Sequence, residues 1–150
     1  MTRKILQTSI ALRAMQHPRA LTSALLGLTC LSGIFMGIGI ILSGHQMLTS
    51  PIFAAAVAIA PPSTWGLVFI FAGTFVGIGA KKGYEAAETA TLVLALLFAA
   101  WAACIAASAV PVGLYAGLVA YMALSALSAL TSLACGALAR ENRSLLEHSS

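Results

Sequence analysis

Formal charge is what this chain has least of. Of its 150 residues, 8% are Asp, Glu, Lys or Arg, where soluble domains carry roughly 25%. Between Arg19 and Lys81 there is no such residue, and none again between Glu88 and Arg140. So few charges cannot cover a water-facing surface, and lipid is the expected solvent. The ten-residue polar–apolar alternation of a membrane β-barrel is also missing. A backbone in hydrocarbon satisfies its own hydrogen bonds only as helix or closed barrel. Helices are what remain.

Further absences narrow the chemistry. Membrane proteins keep a carboxylate, Lys or Arg inside a span mainly for ion, proton or ligand work, and these apolar runs hold none. That argues against a proton-coupled pump with an internal acid. The histidines, His17, His45 and His148, all flank the runs, so no facing pair is expected to ligate haem. The motifs HExxH and GxSxG and a phosphate-binding loop with Lys are absent. Cys30, Cys104 and Cys135 stand far apart with no CxxC, which leaves neither a zinc site nor a disulfide framework. They read as small packing residues. The expectation is a protein that is not an enzyme, with no cofactor and no metal. The net charge is +4 and the pI about 9.3, but the basic residues are not interleaved with aromatics in a soluble module. Nucleic acid is not an expected partner.

What is present is 60% hydrophobic, with mean hydropathy +0.97. The central charged island runs Lys81-Lys82-Gly83-Tyr84-Glu85-Ala86-Ala87-Glu88. Each flank of it is long enough for two crossings at about 20 residues apiece. The fold class is therefore all-α: an integral membrane bundle of four transmembrane helices forming a single domain, 1–150. The spans are expected at 21–43, 63–80, 89–110 and 112–138, after a segment 1–19 and before a tail 139–150. An even number of crossings puts both termini and the island on one side. All eight basic residues then fall there: Arg3, Lys4, Arg13, Arg19, Lys81, Lys82, Arg140 and Arg143. The positive-inside rule makes that side the cytoplasm. The expected location is the inner (cytoplasmic) membrane of a cell, with N- and C-termini cytoplasmic. Arg19, Lys81, Lys82, Arg140 and Arg143 are the residues that carry this topology. The first span reads as a signal-anchor, its apolar run being too long for a cleaved signal.

Segment 1–19 has no clear apolar face. Its basic groups serve topology or, alternatively, anionic lipid. Between the first two spans, Ser50-Pro51 reads as an N-cap followed by Pro at the first helical position. A short extra helix over 52–60 is expected in this first external loop, stopped by Pro61-Pro62. It is either interfacial or re-entrant, a connector or a lid. Trp65 and Tyr84 read as interface anchors. Trp101 falls near the middle of the third span, facing either the interior or lipid. Glu85 and Glu88 are expected in a water-facing loop, capping the third helix through its dipole.

Small residues dominate the helix faces. G-x-x-x-G strips occur at Gly33/Gly37, Gly73/Gly77 and Gly113/Gly117, and Ser128, Ser132 and Gly136 continue the theme on the last span. Such strips let helices approach closely. The pattern G-x-F-x-G-I-G appears at Gly33–Gly39 and again at Gly73–Gly79. An inverted-repeat transporter is one reading of it. Coincidence between two Gly-rich packing faces is the other, and the second half of the chain has no matching pair.

The stretch Pro61-Pro62-Ser63-Thr64-Trp65-Gly66, together with the short charged tail, resembles small four-helix membrane proteins of bacteriophages and prophages, the holin-like type. The resemblance implies self-association followed by permeabilisation of the membrane, and it brings no catalytic residue. The expected function is a non-enzymatic polytopic protein that packs or self-associates through its Gly and small-residue faces. The alternatives are a small solute transporter or channel, or an accessory subunit of a larger membrane complex. The expected partners are the lipid bilayer and either a second copy or another membrane protein.

Overall fold

The computed structural model describes residues 18–109 and 116–147. Its elements are α1 (Pro18–Leu42), α2 (Gly44–Thr49), a 3-10 turn (Pro51–Phe53), α3 (Ala54–Ile59), α4 (Pro62–Lys82), α5 (Tyr84–Ala109) and α6 (Ala116–Glu147). Four of these helices are long and apolar enough to cross a membrane. α1 packs most extensively on α4, and α5 on α6, while α4 with α5 and α1 with α6 close the square.

Three boundaries differ from those expected. The third helix starts at Tyr84 rather than 89, so the middle loop shrinks to Gly83 alone. Gly83 makes that turn at φ 128°, a backbone state that costs a residue with a Cβ. Glu85 and Glu88 therefore belong to helix and not to a loop. The last helix continues through the expected tail to Glu147. At 1.5 Å per residue it is about 48 Å long, well beyond a hydrocarbon core of about 30 Å, and the excess carries its charges. The first connection holds two short helices and a 3-10 turn instead of one helix. Ser50 has the extended backbone of an N-cap, but its side chain makes no cap bond. Segments 1–17 and 110–115, with Gly113, lie outside the described residues.

Large apolar side chains are exposed as well as buried, and some hydroxyls lie inside. Phe71 on the outside is 69% exposed, whereas Thr29 and Thr131 inside are 0% exposed. Interior hydroxyls bond to backbone or to each other. Thr29 meets Thr131 at 3.3 Å, joining α1 to α6. Ser125 donates to the Ala95 carbonyl at 3.0 Å and Ser132 to the Glu88 carbonyl at 3.0 Å. Those two bonds lie one heptad apart on each helix and fix the α5–α6 register. Bonds of this kind average about 0.6 kcal/mol in a bilayer.

The glycine strip of α1 is used within the bundle. A Cβ at Gly33 would lie 2.9 Å from Gly73 Cα, and one at Gly73 would lie 2.8 Å from both Cys30 O and Ile34 N. At Gly37 it would run into the Gly66 carbonyl, and at Gly66 it would lie 2.7 Å from Gly37 O. The true partner of Gly33/Gly37 is thus Gly66/Gly73, two turns apart on the antiparallel α4. Gly77 is looser, with Cys30 Sγ at 3.2 Å. Gly73→Ala is expected to force α1 and α4 apart and cost about 1–3 kcal/mol, as overpacking does. At Gly39 a Cβ would meet nothing within 4 Å, so Gly39→Ala is expected to be neutral or to stabilise by up to about 1 kcal/mol. Thermal unfolding of the two variants in detergent checks the contrast.

Candidate functional site

The helix directions sort the core into two layers. Thr22, Thr29, Thr91, Ser128, Thr131 and Ser132 lie towards the charged end. The aromatic side chains gather towards the other end. Trp101 is fully buried at their centre. Its ring meets Trp65 at 5.1 Å and 67°, Phe69 at 5.9 Å and 89°, and Tyr121 at 6.5 Å and 83°. These are edge-on arrangements, which set the positive rim of one ring against the negative face of another. Phe53 from the 3-10 turn closes over it at 6.3 Å. The structure thereby decides the interior position for Trp101. Its Nε1 has no hydrogen-bond partner among the described residues.

The short elements α2, the turn and α3 roof this layer. The Ala55 N–H donates to Ser108 Oγ on α5 at 3.0 Å, and Ala56 is fully buried. Trp65, expected as an interface anchor, donates its Nε1–H to the Ala56 carbonyl at 2.9 Å. The connector thus docks on the bundle. Beside it lies a cavity of about 360 Å³, walled by Phe35, Met36, Ile40, Met47 and Phe53, with Ser43, Gln46, Trp101 and Tyr121 as its side chains that carry a polar atom. No carboxylate, His, Cys, Lys or Arg lines it. It offers shape, apolar contact and a few neutral polar groups.

The opposite end collects the formal charge. Arg143 on α6 donates Nε–H to Glu85 Oε1 at 2.6 Å, and its Nη2 reaches the same oxygen at 2.5 Å. Arg19 on α1 donates to Asn142 Oδ1 at 3.3 Å. Lys81 and Lys82 end α4 and Tyr84 begins α5, half-buried against the core. Arg140 is exposed on α6. All five topology residues therefore share one end. The Glu85–Arg143 pair is exposed on both sides, where such pairs contribute roughly 0–1 kcal/mol. Glu88 folds its carboxylate over Gly136, where a Cβ would collide with it.

The expected packing residues divide. Gly33, Gly37 and Gly73 join α1 to α4, while Ser132 and Gly136 join α6 to α5. Ser128 bonds to Leu124 O within its own helix. Gly113 lies outside the described residues, as do the surroundings of Gly117. The three cysteines are free, and no group of three His, Cys, Asp or Glu gathers among the described residues. Gly66, Phe69, Phe98, Tyr121 and Ser108 were not singled out from sequence. The i, i+3 spacing of Phe98 and Trp101, and Gly66 one heptad before Gly73, were the signals available.

Comparison with known proteins gave no match to a family model, to a curated protein or to a solved structure.

Removing the Trp65 N–H should break a made bond, and removing the Trp101 N–H should break none. Trp65→Phe is expected to cost about 1–2 kcal/mol and Trp101→Phe less than that, because a buried donor without a partner is itself unfavourable. Trp101→Ala should cost about 3–5 kcal/mol through the cavity it leaves. Detergent-phase thermal denaturation of the three variants tests the order.

Proposed function

We propose that the chain is a non-enzymatic, multi-pass membrane protein whose role is helix association within the bilayer. Its charged end faces the cytoplasm, in keeping with the positive-inside rule. The partner face is the outer surface of α5 and α6, where a second copy of the chain or another membrane protein packs. One observation carries this reading. Between α5 and α6 runs an outward-open groove of about 460 Å³, lined by Ala99, Ala103, Ala106, Met122, Ala126 and Ala129, with no charged side chain. The exposed large side chains of the bundle are mainly Leu, with Ile, Phe and Val. Small residues let a foreign backbone approach as closely as α1 approaches α4, and lipid-phase association relies on that contact.

On this reading the partner face lies on alanines and not on the glycine strips, which already hold α1 to α4. The accessory-subunit and self-association readings both use the groove. Permeabilisation of the holin-like type would need, in addition, a polar wall. The interior hydroxyls are already bonded to carbonyls or to each other, so support for this reading stops at association. A solute path has less support for the same reason.

Full-length protein labelled with donor and acceptor dyes, reconstituted in liposomes at falling protein-to-lipid ratio, tests the face. Ala103→Leu combined with Ala126→Leu should abolish energy transfer between copies or weaken association at least about tenfold, which is 1.4 kcal/mol. If the wild type shows no self-association, capture of a membrane partner should be lost in the same variant. Association or capture that is unchanged by both leucines would contradict the proposal.

A further inference from the structure

A second groove lies across the bundle from the alanine face, between α1 and α4 at the charged end. Its volume is about 500 Å³, and Gly27, Cys30 and Gly77 form its floor while Lys81, Lys82 and Tyr84 stand at its polar end. Two features set it apart. The floor is open at Gly27, where a Cβ would meet nothing within 4 Å, and closes at Gly77, where a Cβ would lie 3.2 Å from Cys30 Sγ. Neither lysine has an ion-pair or hydrogen-bond partner among the described residues, although Arg143 and Arg19 beside them are engaged. An apolar channel thus ends in two lysines with no direct ion-pair partner among the described residues, the nearby Glu85 being held by Arg143.

That combination matches one kind of molecule. A phospholipid has an acyl chain of the channel's polarity and a phosphate at the depth where a helix end leaves hydrocarbon. Basic pockets between spans on the cytoplasmic side bind anionic head groups. We propose that this groove binds an anionic phospholipid, with one acyl chain over Gly27, Cys30 and Gly77 and the phosphate against Lys81 and Lys82. The proposal rests on the bilayer placement given above but not on the association face, which lies on the opposite pair of helices.

The test is native mass spectrometry of the full chain released from micelles holding equimolar phosphatidylglycerol and phosphatidylcholine with identical acyl chains. The wild type should retain phosphatidylglycerol at least about fivefold over phosphatidylcholine, the size expected of even one lysine near a membrane surface. Lys81→Gln with Lys82→Gln should bring the ratio to about one. These exposed positions at a helix end leave the core intact. Gly27→Leu should fill the channel and lower retention of both lipids with the melting temperature kept. Equal retention of the two lipids by the wild type would overturn the proposal, as would a preference that survives the double lysine change. Release of the bound lipid by millimolar inorganic phosphate would also overturn it, because the acyl channel would then contribute nothing. Loss of energy transfer between copies leaves this result untouched, so the two proposals fail separately.

Discussion

The confinement of formal charge to one end of four apolar helices is the constraint on which the rest of the molecule depends. Every described Lys, Arg and Glu lies at that end, from Arg19 on α1 to Glu147 on α6. The remaining length of each helix has only apolar groups, hydroxyls and backbone with which to make contacts. In lipid, packing could not come from segregating oil from water, because large apolar side chains are exposed as well as buried. It comes from close approach and from hydrogen bonds between helices.

The two halves of the square solve that problem differently. α1 and α4 meet backbone to backbone through Gly33, Gly37, Gly66 and Gly73. α5 and α6 meet through serine hydroxyls on opposing carbonyls, at Ser125 with Ala95 and at Ser132 with Glu88. The Thr29–Thr131 contact ties the halves together. Bulk is supplied by one aromatic layer around Trp101, sealed by the connector that Ser108 and Trp65 hold down. The close contacts are thus satisfied inside, and the open grooves are left at two outer seams of different character. One is neutral and alanine-lined. The other ends in lysines.

Most of the architecture was legible in the sequence because charge and helix length are additive along the chain. The span count and the common end for Arg19, Lys81, Lys82, Arg140 and Arg143 followed from where charge is missing. Helix ends were less legible. Glu85 and Glu88 look like loop residues by polarity, yet one glycine suffices for the turn, and helix propensity carries α5 back to Tyr84. The same propensity carries α6 through its charged tail. Partners across the bundle were not legible. A G-x-x-x-G strip announces a close contact but not its mate, and Gly33/Gly37 takes Gly66/Gly73 rather than Gly73/Gly77. The interior place of Trp101 depended on which face α5 turns to α4, and an Ala-rich helix gives no apolar stripe to read. The alanine groove escaped notice for the same reason, since alanine suits a core, a lipid face and a docking face alike.

Sidedness is the direct test of the central claim. In a cysteine-free background, single cysteines placed by Lys82→Cys, Arg143→Cys and Thr49→Cys can be probed in intact bacterial cells with a membrane-impermeant maleimide. The account predicts labelling of the Thr49 position alone, with the Lys82 and Arg143 positions labelled only after the cells are opened. Labelling of the Lys82 and Arg143 positions from opposite sides, or recovery of the protein in the soluble fraction without detergent, would contradict it.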